Sequence, residues 1–198
     1  QISYLLNILE DAKLHRKKVF MAYIDFSDAF CSLNHDIMLR MFTALGMPAD
    51  FVQIVASIYA GAEMFVRGPH HDDTERIDIQ RGTVQGCSLS PFLFTLALEP
   101  LSRWLQATCM GYKFSFNDDM RTTSLCYADD MILISQSTED LQKMLHRLER
   151  FCDWTGMNVN VRKSCTTAHI PQFKSGMDML LQQSLNKCTY KQQPLPYL

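Results

Sequence analysis

Two neighbouring carboxylates, Asp129 and Asp130, interrupt the apolar run SLCYADDMILISQS. A charge buried among apolar strands is costly unless it is paired or binds a metal, so these acids call for a cation. A tight turn explains them poorly. Two-residue hairpin loops favour Asn-Gly, Asp-Gly or Gly-x, and ADDM contains no glycine. A third acid, Asp25, falls at the end of the strand-like run VFMAYIDF, with Met21 and Tyr23 on its face of the strand. Taken alone, Asp25 reads equally as a site acid or as a structural one, a helix N-cap or a strand-end acid facing water. Three acids on adjacent strands suit Mg²⁺, which binds through one or two carboxylates plus substrate phosphates and keeps several waters. Two such ions about 3.5–4 Å apart activate an attacking hydroxyl and stabilise a leaving pyrophosphate.

The elements that hold these acids follow from periodicity. Ile2, Leu5, Leu6, Ile8, Leu9, Ala12 and Leu14 have helical spacing, and the segment ends in the cations HRKK. VFMAYIDF predicts a buried strand. HDIMLRMFTAL predicts a helix stopped by Gly46 and Pro48, and ADFVQIVASIYA a second stopped by Gly61. AEMFVRG and ERIDIQRG suggest a hairpin around PHHDDT. SPFLFTLALEPLSRWLQA predicts a long apolar helix with Ser90 as N-cap, Pro91 in its first turn and a kink at Pro100. TSLCYADDMILIS reads as two strands with the acids at their junction. A further helix, capped by Ser137 or Thr138, carries Leu141, Met144, Leu145, Leu148 and Phe151 on one face and stops at Gly156. MNVNV and KSCTTAHI are short strands, and the tail from Pro171 reads as a linker. Strands and helices do not alternate strictly, which argues against a doubly wound parallel sheet. The expected class is α+β: a small antiparallel sheet with helices packed on one face and the other face left open.

Bulk properties bound the function. The 198 residues read as one domain, and a hydrophobic fraction of 47% is ample for a core. The formal net charge of -2 excludes a simple basic nucleic-acid binder. It does not exclude nucleic acid, because an acidic site offsets basic grooves elsewhere. Seven cysteines, with no C-x-x-C, predict reduced thiols and no zinc site. No run approaches the roughly 20 apolar residues of a membrane span. The opening QISYLLNILEDAKLHRKK is not a signal peptide, since Glu10 and Asp11 interrupt its apolar part. The absence of an initiator Met suggests a fragment or a processed product.

YIDFSDAF, then RGTVQGCSLSPFLF, then YADD resemble, in that order, motifs A, B and C of a reverse transcriptase palm. The pattern is closest to non-LTR, LINE-type retrotransposon polymerases, and it covers roughly residues 1–168. The resemblance implies RNA-directed DNA polymerase activity with two Mg²⁺ ions, for which Mn²⁺ substitutes. Asp25 and Asp129 would be the principal metal-binding carboxylates, and Asp130 a supporting acid. Phe26 would offer a backbone carbonyl to the nucleotide-side metal. Phe30, five residues after Asp25, falls at the sugar gate, where a ring clashes with a ribose 2′-OH. It also reads as an ordinary core aromatic. Gln85 and Gly86 would contact nucleotide or template, with glycine allowing close backbone approach. Lys163 resembles the motif D lysine, a proton donor to the departing pyrophosphate, or else it is a solvent-facing lysine.

The resemblance also implies partners: an RNA template, a DNA primer, dNTPs, and the fingers and thumb of a parent polyprotein. No membrane partner is implied, and the location is intracellular, nuclear at the site of DNA integration. Residues 1–18 would end a fingers helix, 19–168 form the palm, and 169–198 lead toward a primer grip and thumb. The isolated piece is expected to have little or no processive activity. Two other readings stay open: an intron-encoded maturase-type enzyme, and a catalytically silent palm kept as an RNA-binding scaffold. The remaining polar candidates are weaker. His70, His71, Asp72 and Asp73 fit an ordinary polar loop better than a metal site. Arg81 reads equally as a phosphate contact or a surface residue, and Cys87 as a spacer without a basic partner. Trp104 and Trp154 are expected to be packed.

Overall fold

The structure, a computed structural model, describes residues 2–68, 74–83, 87–117, 119–171, 185 and 188–196. Helix α1 (Ile2–Leu14) leads into the long strand β1 (Val19–Ser27) and a single turn, α2 (Ala29–Ser32). Helices α3 (His35–Ala44) and α4 (Ala49–Tyr59) follow, then the two-residue strands β2 (Glu63–Met64) and β3 (Ile77–Asp78). Helix α5 (Ser90–Thr108) precedes a small pair, β4 (Tyr112–Lys113) and β5 (Arg121–Thr122). The hairpin β6 (Ser124–Tyr127) and β7 (Asp130–Ser135) runs into α6 (Thr138–Thr155), β8 (Asn158–Val159) and β9 (Cys165–His169). A last hairpin joins β10 (Thr189–Tyr190) to β11 (Gln193–Pro194).

Local chemistry accounts for several helix ends. Asn34 Oδ1 accepts the Ile37 N–H at 3.2 Å to open α3. Ser137 Oγ accepts the Asp140 N–H at 3.1 Å to open α6, and Gly156 closes it at φ 79°. Ser90 is not a cap: it is the first helical residue, and Leu89 occupies the N-cap position without a side-chain bond. Pro91 falls where its missing N–H costs nothing, and α5 continues through Pro100.

The main sheet is antiparallel, ordered β6-β7-β1-β8, with β9 also paired to β1. On one face Phe20, Ala22, Ile24 and Phe26, with Met131 and Leu133 beside them, pack into the core formed by α3 to α6. The opposite face is not wholly open, contrary to expectation. Ile8 and Ala12 of α1 cover it at the Val19 end, together with Tyr112 and Phe114. Toward Asp25 the cover stops, leaving a cavity of about 370 Å³ between α1 and the β6–β7 hairpin.

A buried acid holds α1 in place. Asp11 accepts the Tyr112 O–H at 2.5 Å, with the Ser115 hydroxyl at 3.1 Å, His15 Nδ1 at 3.1 Å and Lys17 Nζ at 3.7 Å. Burial alone raises the carboxyl pKa, but the hydrogen bonds from Tyr112 and Ser115 and the Lys17 charge outweigh it and hold it below the ordinary 3.8. A lowered folded pKa means that this stability is present above the unfolded value and lost as pH falls through the folded one. Asp11→Asn is therefore expected to cost about 1.5–3 kcal/mol at neutral pH. In urea melts the gap to wild type should close as the medium acidifies below pH 3.8. A gap independent of pH would show that the charge of Asp11 contributes nothing.

Two expectations need correction. Not all of the tail is linker: Leu185, Cys188, Tyr190 and Leu195 enter the main core. Gln142 of α6 accepts the Thr189 N–H at 2.8 Å and donates to its carbonyl at 3.0 Å. A two-residue hairpin is too short to leave a periodic trace in sequence. Trp154 is 54% exposed rather than packed, and Trp104 is half-buried beneath the guanidinium groups of Arg147 and Arg150.

Candidate active site

The β1–β7 register places Asp25 directly opposite Asp130. Tyr127 pairs with Asp130 across the hairpin, so Ala128 and Asp129 form its two-residue turn. Asp129 thus does occupy a tight turn, even without glycine, and Asp130 follows it as the first residue of β7. Ala128 takes φ 51°, a left-handed conformation that costs a non-glycine residue about 1–2 kcal/mol. Nor are the acids buried. Asp25 and Asp129 are half-buried, Asp130 is exposed, and Tyr127 is 73% exposed. The apolar flanks enter the core while the hairpin tip projects beyond it.

The backbone of Asp25 faces away from β7. Its N–H donates to Ser164 Oγ at 3.0 Å, and its carbonyl accepts the Asn160 N–H at 2.8 Å. Asp25 and Asp130 are therefore a non-hydrogen-bonded pair, the kind whose side chains lie closer together. By strand alternation the Phe26 carbonyl points the other way, toward the 127–130 turn. The Phe26 ring enters the core, with its centroid 6.5 Å from that of Phe94.

Among the described residues, no donor or cation pairs with the side chains of Asp25, Asp129 or Asp130. Also among these residues, no three or more His, Cys, Asp or Glu side chains converge to enclose an ion. The donor set is all carboxylate oxygen, unneutralised and accessible. It suits a hard cation that takes one or two carboxylates and completes its shell with water and substrate phosphate. The larger cavity of about 660 Å³ between α3, α4 and β3 lies away from this cluster.

Phe30 is half-buried, its ring 4.9 Å from that of Phe94. Its carbonyl accepts the Thr83 N–H at 2.5 Å and the Thr83 hydroxyl at 3.3 Å. Gly82, at φ 85°, brings this segment against Cys31, and Arg81 forms an isolated bridge with Asn34. Lys163 is exposed on the turn before β9, one residue from Ser164. Cys87 is half-buried. Gln85 and Gly86, and likewise His70, His71, Asp72 and Asp73, lie outside the described residues. Thr83, Asn160 and Ser164 escape a reading by residue type, because hydroxyls and amides have no periodic signature. The position of Ser164 beside Lys163 is its one pointer.

By its sheet, its underlying helices and the acids at the sheet's open end, the chain is a polymerase palm. A family model described as reverse transcriptase (RNA-dependent DNA polymerase) matches residues 2–198, and the chain belongs to that family. It is 30% identical over 177 residues to the Pol polyprotein of the type-2 retrotransposable element R2DM of Drosophila melanogaster, covering 89% of this chain and 16% of that protein. Identity is 31% over 172 residues to the R2 Pol polyprotein of Bradysia coprophila, 86% of this chain and 19% of that one. The chain thus spans under a fifth of these relatives' length. A solved telomerase of Candida tropicalis, in complex with a fragment of telomeric RNA, superposes with TM-score 0.65 at 14% identity, over 95% of this chain and 30% of that one. Telomerase of Candida albicans gives 0.61 at 11% identity, over 87% of this chain and 30% of that one. The shared element is the fold. Among the described residues, no helix is long and apolar enough to cross a membrane.

Proposed function

We propose that the protein carrying this chain is an RNA-directed DNA polymerase of a non-LTR retrotransposon, extending a DNA primer with dNTPs on an RNA template. The observation that carries this is the set Asp25, Asp129 and Asp130 at the open end of the sheet, without a side-chain partner among the described residues. Asp25 and Asp129 would hold two divalent ions, Mg²⁺ with Mn²⁺ as substitute, and Asp130 would support them. Bound ions would supply Lewis-acid activation of the primer hydroxyl and charge stabilisation of the pyrophosphate. The chain's own contribution is positioning and electrostatic preorganisation. The Phe26 carbonyl faces the turn, Gln85 and Gly86 meet nucleotide or template, and the exposed Lys163 delivers a proton. Flanking fingers and thumb would complete the grip, and the site of action would be nuclear. Relatives named as retrotransposon polyproteins favour this over a maturase, and the intact acids favour it over a silent palm.

The test is primer extension on RNA by the protein carrying this chain, comparing dNTPs with rNTPs at matched Mg²⁺. Metal-dependent DNA synthesis is expected, and no extension would reject the reading. Phe30→Val, which opens the space before Phe94, should raise use of rNTPs relative to dNTPs by about 10–200-fold. Unchanged discrimination would reduce Phe30 to a packing residue.

A further inference from the structure

Asp25 sits where β1 has no complete neighbour on its β8–β9 side. Strand β9 pairs with residues 19–23 of β1, and β8 with Phe26 and Ser27. Between them the chain makes a turn over 160–164. A regular strand there would give Asp25 both an N–H acceptor and a carbonyl donor. The turn supplies one from a side chain and one from the backbone: Ser164 Oγ accepts the Asp25 N–H at 3.0 Å, and the Asn160 N–H reaches the Asp25 carbonyl at 2.8 Å. The turn is itself tightly closed. The Asn160 carbonyl accepts the Lys163 N–H at 3.1 Å, the Ser164 N–H at 2.9 Å and the Ser164 hydroxyl at 2.8 Å. Ser164 is 1% exposed, so water does not replace its oxygen readily.

We infer that Ser164 is a positioning residue for Asp25. One hydroxyl stands in for the missing strand, donating to Asn160 while accepting from Asp25. Its role is to fix the backbone, and hence the direction of the carboxylate, at the one β1 residue whose side chain must meet a cation. The same atoms tie Lys163, one covalent step away, into the frame of Asp25. A residue that merely filled space here would need no oxygen. A residue acting through the metal ligand behaves as outer-shell partners do, where substitutions change metal affinity or activity by about 10–100-fold. This inference rests on the polymerase reading for its functional consequence, though not for the hydrogen bonds themselves.

The experiment compares Ser164→Ala, Ser164→Thr and the control Thr155→Ala. Thr155 is an equally buried hydroxyl that donates to the Phe151 and Cys152 carbonyls of α6 and accepts the Met157 N–H just beyond it. Amide exchange of Asp25 reads the clamp in this chain, Mn²⁺ affinity by electron paramagnetic resonance reads the carboxylate, and kcat and KM are read in the protein carrying this chain. Ser164→Ala should accelerate Asp25 exchange, weaken Mn²⁺ binding by roughly 10-fold or more and lower kcat by about 10–100-fold, with KM for primer-template unchanged. Ser164→Thr should restore all three, and Thr155→Ala should change none of them. Wild-type Mn²⁺ affinity and kcat in Ser164→Ala would overturn the inference, as would losses matched by Thr155→Ala. If the wild-type chain binds no Mn²⁺, the metal reading fails, while faster Asp25 exchange in Ser164→Ala alone would still uphold the clamp.

Discussion

Asparagine at Asp25 or at Asp129 is expected to abolish templated primer extension, a fall of at least about 10²–10³-fold, the cost of removing one preorganised transition-state contact. The same substitutions should leave the melting temperature unchanged or raise it. Neither side chain has a donor or cation partner among the described residues, so asparagine removes no stabilising bond to any of them. It does remove repulsion within a cluster in which Asp25 and Asp130 face each other on adjacent strands. Lost activity with retained or increased stability is the mark of a functional site that the fold tolerates at a cost. Asp130→Asn should give a smaller loss if its part is supporting. The register makes this a sharp comparison, because it is Asp130, not Asp129, that stands opposite Asp25. Undiminished extension by Asp25→Asn would remove the metal assignment, and an unfolded protein would remove the claim that the acids are structurally idle.

The second large effect is on folding. At Gly82 a Cβ would lie 2.5 Å from Cys31 Cα and 2.8 Å from the Cys31 carbonyl oxygen, on a backbone with φ 85°. Gly82→Ala combines left-handed strain of about 1–2 kcal/mol with an overpacking cost of about 1–3 kcal/mol, for a loss of about 2–5 kcal/mol. Gly46 has a similar φ of 79° but nothing within 4 Å of its Cβ position, so Gly46→Ala should cost only the strain. Urea unfolding of the two variants checks this, and equal midpoints would refute the close-crossing argument. Gly82 lies between the Arg81–Asn34 bridge and the Thr83–Phe30 hydrogen bonds. Its loss should therefore disturb the Phe30 ring as well as the fold.

Helical spacing and β-branched runs in the sequence located α1, β1, α3, α4, α5, β6, β7 and α6, the helices by a repeating apolar face and the strands by short apolar runs. The acids stood out by type, since carboxylates are rare inside apolar runs. What was not legible is what depends on distant pairing. The register that sets Asp130 against Asp25 joins residues with no local signal between them. The pairs β4–β5 and β10–β11 are two-residue strands, below the length at which alternation can be seen. Glycine preference argued against a turn at Ala128-Asp129, and site geometry overrode it. Asp11 looked like an interruption of an apolar helix, yet it is the anchor that docks that helix on Tyr112.

The central place of β1 carries a consequence for how the chain comes into being. The partners β7 and β9 lie more than a hundred residues downstream of this strand. During synthesis β1 emerges with two unsatisfied edges and an apolar face. Such non-local pairing slows folding and leaves a strand exposed to mispairing. Asp25 and Asp130 therefore come into register only once β7 has been made.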